Sequence, residues 1–310
     1  MLSAAGLALL HLSARPPARL SARRGGGGGR LIERWSWAMG QPVHLALYAD
    51  SDDRAYEAAA RALGELRRVE SRLTLFDDAS DLVELNRRAG GRAMRVDADL
   101  AAVLAAAAEA RLATGGAFNV AVEPLMRTWG FHRPRATAPS PAEIEEAREA
   151  VGAAVVVLDG DRAALPARHT QLDFGGIGVG YGLDRMAAVL RRSGVRSAFI
   201  DISGDCLAIG TPPGQSGWEV AIADPRHPGR VVETVRLRDR ALATSANTVS
   251  VVRYGKEVRG HVMDPASGYP AERKVQATAV ARTGLLADTG STAMLVMGRP
   301  APGVERAIFV

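Results

Sequence analysis

Two oxygen-bearing side chains near the C-terminus, Asp288 and Thr292, lie in the run Ala287-Asp288-Thr289-Gly290-Ser291-Thr292 at the head of an apolar, helix-forming segment. A spacing of four puts a carboxylate and a hydroxyl on one helical face, where both reach the same point. Hard oxygen donors of this kind suit Mg²⁺, which keeps several waters and takes phosphate oxygens as further ligands. The competing reading is an N-capping Asp and a helix-surface Thr without any ligand.

A second run, Asp173-Phe174-Gly175-Gly176-Ile177-Gly178-Val179-Gly180-Tyr181-Gly182-Leu183-Asp184, ends a strand-like stretch in an acid and opens a helix through glycines. Glycines let the backbone turn tightly and approach a ligand. Helix N-terminal N–H groups suit a phosphate, and freed carbonyls can face a cation. The spacing does not fit the dinucleotide fingerprint, and a tight strand-to-helix turn alone is the other reading. A third stretch, His261-Val262-Met263-Asp264-Pro265 with Gly268-Tyr269-Pro270, runs out of a strand into turns. His261 there is either a proton-transfer or phosphate-contact group or a structural hydrogen-bonder. In Gly115-Gly116-Ala117-Phe118-Asn119, followed by Pro124 and Trp129, the aromatic rings either stack on a flat ligand ring or fill the core, with core filling the better reading for Trp129.

These segments need elements to hold them. Pro42–Tyr48 alternates as a strand. Asp53–Leu75 carries apolar residues at three- and four-residue steps, the period of a helix. Ser80 is placed to cap a short helix through Asn86, and Asp99 to cap an Ala-rich helix over Leu100–Ala113 that Thr114-Gly115-Gly116 ends. Ser140-Pro141 opens a helix to Ala150. Short strands are expected at Val155–Leu158, Ala163–Leu165 and Gln171–Phe174. A helix over Gly182–Ser193 then feeds strands at Ser197–Ile202, Trp218–Ala223, Val231–Leu237, Ala241–Ser245, Ser250–Tyr254 and Ala277–Ala281, before a last helix over Leu286–Met297. Strands in hairpin-like succession, without regular helical interleaving, predict an α+β fold with antiparallel sheets and flanking helices.

Composition excludes several classes. The chain has 310 residues, with 47% apolar and 24% charged, an ordinary balance for a globular protein. Its net charge of +5 is concentrated in Arg15, Arg19, Arg23, Arg24 and Arg30, so the body lacks the basic face of a nucleic-acid binder. One cysteine, Cys206, leaves no internal disulfide and no cysteine metal cluster. No apolar run reaches the roughly 18 residues of a membrane span. The apolar stretch Leu2–Leu12 precedes its arginines, the reverse of a secretory signal, and Gly25–Gly29 reads as a linker. Residues 1–32 are therefore expected to be a tail or linker, or an over-extended gene start, ahead of one domain over 33–310.

Taken in order, the segments resemble the ApbE family of FAD:protein FMN transferases. The family's elements are matched by Met39-Gly40-Gln41, by Leu73–Asn86, by Gly116–Asn119 for GAFD, and by Asp173–Asp184 for DLGGIAKGYAVD. Ser203-Gly204-Asp205 matches GGD, Thr244-Ser245-Ala246 matches TSG, His261–Pro265 matches HIIDP, and Ala287–Thr292 matches AD-x-x-x-T. The resemblance implies a T-fold-like, two-lobed α+β domain with FAD in a central cleft. It implies Mg²⁺ held by the Gly176 carbonyl, Asp288 and Thr292, with Ser291 a candidate contributor. FAD contacts carry over to Met39, Phe76, Ala117, Phe118, Asn119, Asp173, Val179 and Val262. His261 and Asp264 would order the phosphates beside the catalytic Asp288. The implied reaction moves FMN from FAD to a threonine hydroxyl of a target flavoprotein and releases AMP. The alternatives are an FAD pyrophosphatase giving FMN and AMP, and a non-catalytic FAD-binding protein.

The chain departs from the family pattern at four places. Val179 replaces the lysine of GIAKG, Asn119 replaces the GAFD aspartate, Ala246 replaces the TSG glycine, and Ser203 opens the GGD element. The first removes a positive charge beside an anionic ligand, and Ala246 is a poor residue for a positive φ. Family members often work outside the cytoplasm as lipoproteins. No cysteine near residue 20 is present to carry a lipid, so a cytoplasmic location is expected, with export or the periplasm as the alternative.

Overall fold

The structure, a computed structural model, describes residues 29–227 and 229–310. Strands β1 (Arg30–Ala38) and β2 (Gln41–Ala49) form a hairpin whose two turn residues, Met39 and Gly40, both have positive φ, 54° and 67°. Two left-handed residues match the twist of the strands they join. In β2, Val43, Leu45 and Leu47 alternate onto one face and are fully buried.

The chain continues through α1 (Asp52–Leu73), α2 (Asp81–Arg87), β3 (Met94–Arg95), α3 (Ala98–Ala113), a 3-10 turn at Val120–Val122, α4 (Glu123–Thr128), α5 (Pro141–Gly152), β4 (Val157–Asp159) and β5 (Arg162–Ala164). It then forms α6 (Gly178–Arg192), β6 (Ser197–Ile202), β7 (Asp205–Ile209), β8 (Trp218–Ala223), β9 (Val231–Leu237), β10 (Ala241–Ala246), β11 (Val251–Tyr254), β12 (Glu257–Gly260), β13 (Gln276–Ala281), α7 (Gly284–Met297) and β14 (Arg306–Phe309).

A seven-stranded sheet in the order β1-β2-β6-β7-β10-β13-β14 is the frame, with every pairing antiparallel. On one face, α1 and α6 pack over β2, β6 and β7 around Leu45, Leu66, Leu183, Met186 and Ile200. Burying a leucine such as Leu66 contributes roughly 2 kcal/mol. The hairpin β8–β9 covers the opposite face through Trp218, Val235 and Leu237. The second half of the core joins α2, α3, the segment after α3 and α7 around Leu82, Leu100, Phe118, Leu172 and Met294. This is the predicted α+β architecture with antiparallel sheets.

Several elements differ in detail. β1 begins at Arg30, inside the expected tail or linker of residues 1–32; residues 1–28 of that stretch lie outside the described residues. Gln171–Phe174 is extended but not a strand. Instead of a neighbouring strand, the buried Asn86 side chain exchanges hydrogen bonds with Leu172, Nδ2–H to its carbonyl at 2.9 Å and Oδ1 from its N–H at 2.8 Å. Asp97, not Asp99, caps α3 by accepting from the Leu100 N–H. Asp99 is buried and meets the Tyr181 hydroxyl and Arg68. α6 starts at Gly178, so Val179 lies in its first turn. Ala246 ends β10 in strand geometry opposite Gln276, so its replacement of glycine meets no positive φ.

Candidate functional site

The glycine run and the last helix meet backbone to backbone. A Cβ on Gly180 would stand 2.3 Å from the Gly284 carbonyl oxygen and 2.7 Å from the Asp288 Cβ, so only glycine permits this approach of α6 to α7. Asp184, one turn further along α6, caps α7 by accepting from the Gly284 and Leu285 N–H groups at 2.7 and 3.0 Å. Thr283 completes the cap by accepting from Leu286. These caps settle one alternative: Asp288 is inside the helix rather than at its N-cap.

The Asp288 carboxylate is buried, and its Oδ2 accepts from the Gly180 N–H at 2.9 Å. Burial pushes its pKa well above the usual carboxylate range, and the nearby Asp205 pushes it further. Asp205, at the start of β7, is itself pushed up to about 7 by burial, although its Oδ1 accepts from the Thr244 N–H at 2.9 Å. The turn before it carries Ser203 at φ 55°, a left-handed non-glycine residue that costs about 1 kcal/mol. One turn on from Asp288, Thr292 Oγ1 lies 3.2 Å from the Ser245 hydroxyl, which is also 2.8 Å from Ser291. A Cβ on Gly176 would fall 2.9 Å from Thr292 Oγ1 and 3.4 Å from the Phe118 ring. Gly176, Asp288 and Thr292, the predicted metal ligands, are thus brought to one place, with Ser245 and Asp205 added.

This donor set fits a hard cation. Two interacting carboxylates, Asp288 buried and Asp205 half-buried, have few donors, and three hydroxyls and a glycine backbone crowd beside them. Among the described residues no three His, Cys, Asp or Glu side chains gather to hold a metal. A cation here would therefore rest on Asp288 together with neutral oxygens from Thr292 and the Gly176 carbonyl.

The other expected residues lie on neighbouring elements. Phe76 is 85% exposed and presents its edge to His132, with ring centroids 6.1 Å apart. A cleft of about 300 Å³ opens beside these rings, lined also by Arg87, Arg127 and Gln171. Asp173 Oδ1 accepts from the Gly175 N–H at 2.7 Å, fixing the first bend of the glycine run. Phe118 is buried against Gly176, Ala117 is half-buried, and Asn119 uses its Oδ1 to accept from the Ala121 N–H at 3.0 Å. Trp129 fills the core, its Nε1–H donating to the Gly268 carbonyl. Met39 packs its thioether against Gly182, and Val179 is half-buried against the α1–α6 core. Val262 is buried, with its N–H donating to Asn247 Oδ1.

His261 directly follows β12. Burial lowers its pKa despite the Asp173 charge, and its buried Nδ1 lacks a hydrogen-bond partner. Asp264 closes its own turn by accepting from the Ala266 N–H at 2.9 Å. His132 and Glu123 were not singled out by sequence reasoning, and a lone histidine in a loop carried no signal. Asp205 was visible as part of a motif but without a role.

The chain is similar to known proteins over most of its length. The sequence profile of the ApbE family matches residues 39–305. The chain is 29% identical to an FAD:protein FMN transferase of Haemophilus influenzae, over 84% of this chain and 79% of that one. It is 30% identical to one of Treponema pallidum, over 79% and 74%. Its fold superposes on the crystal structure of the ApbE protein of Thermotoga maritima with a TM-score of 0.80 and 28% identity, over 87% of each chain. For the apo form of the Pseudomonas stutzeri flavinyl transferase ApbE the TM-score is 0.78, with 26% identity over 88% of this chain and 86% of that one. A profile match over residues 39–305, most of the chain, places this protein in the ApbE family.

Proposed function

We propose that this protein is a Mg²⁺-dependent transferase that moves FMN from FAD to a threonine hydroxyl of a target flavoprotein and releases AMP. The observation that carries this reading is the buried Asp288 carboxylate, pinned by the Gly180 N–H and set one turn from Thr292 against Gly176. When bound there, Mg²⁺ supplies charge neutralisation for a pyrophosphate and for the departing AMP. The chain's own residues do the positioning. Asp184 and Thr283 fix the start of α7, and Asp173 bends the glycine run so that the Gly176 backbone faces Thr292. Phe76 offers an open aromatic face or edge to a flat ring. In the transfer, the threonine oxygen forms a bond to the FMN phosphorus as the bond from that phosphorus to the AMP oxygen breaks. The hydroxyl proton is lost to a base or to solvent, and AMP leaves as the phosphate anion. His261, its pKa lowered by burial, is the group of the His261–Asp264 loop suited to take that proton.

The test incubates the protein with FAD, Mg²⁺ and a flavoprotein or peptide carrying a threonine in an Asp-Gly-x-Thr-Ser-Gly-Ala-Thr context. A fluorescent band that survives denaturation supports transfer. Free FMN and AMP without a band identify a pyrophosphatase, and unchanged FAD identifies a binding protein.

A further inference from the structure

The segment Trp129–His132 belongs to none of the motifs that place this chain in its family, yet it touches two of them. At one end, the Trp129 indole N–H donates to the Gly268 carbonyl at 2.9 Å, and the Tyr254 hydroxyl donates to the Trp129 carbonyl at 2.6 Å. Phe131 sets its ring edge-on to His261, with centroids 6.4 Å apart. At the other end, His132 Nε2 lies 3.3 Å from Asp173 Oδ2, and Nδ1 lies 3.8 Å from Glu123 Oε1. The segment is thus a strap from the His261–Asp264 loop to the head of the glycine run.

Asp173 spends its two oxygens differently. Oδ2 faces His132, while Oδ1 accepts from the Gly175 N–H at 2.7 Å and so sets the bend that carries Gly176 against Thr292. Without His132, the carboxylate loses the contact that fixes its rotation, and the Gly175 bond loses its orientation. The same ring is where Phe76 meets the cleft.

We propose that His132 is a positioning residue of this chain: through Asp173 it fixes the Gly175–Gly176 bend. The inference rests on the transferase reading. Electrostatics agree with it. Burial pulls the His132 pKa down, but the facing carboxylates of Asp173 and Glu123 outweigh burial and hold it at about 9, so the ring carries its charge at neutral pH.

The test titrates FAD, in excess Mg²⁺, against the wild type, H132Q, D173N, the double variant and H132K, read by flavin fluorescence. H132Q is expected to bind FAD about tenfold more weakly, the double variant no more weakly than D173N alone, and H132K to recover part of the loss. A ring that merely stabilises the fold would lower the melting temperature without this pattern. H132Q binding like the wild type, or additive losses in the double variant, overturns the inference and leaves the transferase reading standing. A wild type that binds no FAD overturns both. Should H132Q not fold, ¹⁵N shifts of the His132 ring in the wild type decide: they move on addition of FAD and Mg²⁺, and unmoved shifts overturn the inference.

Discussion

The Gly180 N–H donates to Asp288 Oδ2 at 2.9 Å, joining the first turn of α6 to the first turns of α7 and holding a buried carboxylate in one rotamer. This bond is the only one that the described residues give the Asp288 carboxylate, which burial and Asp205 push toward its neutral form. Geometry favourable to a cation is therefore unfavourable without one. In Asp288→Asn, the amide oxygen still accepts from Gly180, and both the buried charge and its repulsion from Asp205 disappear. The metal-free variant is expected to melt higher than the wild type in EDTA, by about 2–4 °C per kcal/mol gained. Turnover of FAD is expected to vanish in the same variant. Thermal melts in EDTA beside an HPLC assay for AMP check both halves, and a variant that melts lower or still releases AMP contradicts them.

Phe76 separates binding from stability. A phenylalanine 85% exposed contributes little to the core, so Phe76→Ala is expected to change stability by less than ~0.5 kcal/mol. Stacking or edge contact with a flat ring is worth about 0.5–1.5 kcal/mol, and its loss is expected to weaken FAD binding about three- to tenfold. Calorimetric titration with FAD, beside a denaturant melt, distinguishes this from an indifferent surface residue, which would move neither quantity.

The features legible in the sequence were those carried by local spacing. The four-residue step from Asp288 to Thr292 fixed a shared helical face, and the glycine run announced a close approach, which Gly180 and Gly284 make. Chain-local cues failed where a partner lay far away. Asp288 resembled an N-cap because no local signal showed that Thr283 and the distant Asp184 already served that end. Gln171–Phe174 has strand composition, but its backbone is satisfied by the Asn86 side chain rather than by a strand. His132 reaches Asp173 only after the chain has passed through α5, β4 and β5, and a solitary histidine has no periodicity to betray that meeting.

The same meeting has a pH signature. The folded-state pKa of His132, about 9, is above the ordinary value of 6.5. A raised value means that the folded form holds the proton more tightly, so the stabilisation is complete below pH ~6.5 and is lost as the pH rises through about 9. Its full size is on the order of 2–3 kcal/mol. Wild-type stability is expected to fall between pH 7 and 9.5 by more than that of H132Q, with urea melts across that range as the measurement. Parallel curves for the two proteins would show that the ring carries no charge in the fold.

Val179 offers the converse experiment. It is half-buried in the first turn of α6, on the edge of the core formed by α1 and the sheet, and between Gly176 and Gly180, the glycines that face α7. A lysine at such a site keeps its methylenes along apolar surface and extends its ammonium into water. Val179→Lys is therefore expected to cost no more than ~1 kcal/mol of stability while returning the family's positive charge. Because His132 acts through Asp173 and its charge is paired with two carboxylates, the gain in FAD affinity is expected to be the same in the wild type and in H132Q, with no difference between the two backgrounds. Fluorescence titrations of the four proteins of this cycle measure that difference directly. A larger gain in H132Q would mean that the His132 charge reaches the ligand directly rather than through Asp173.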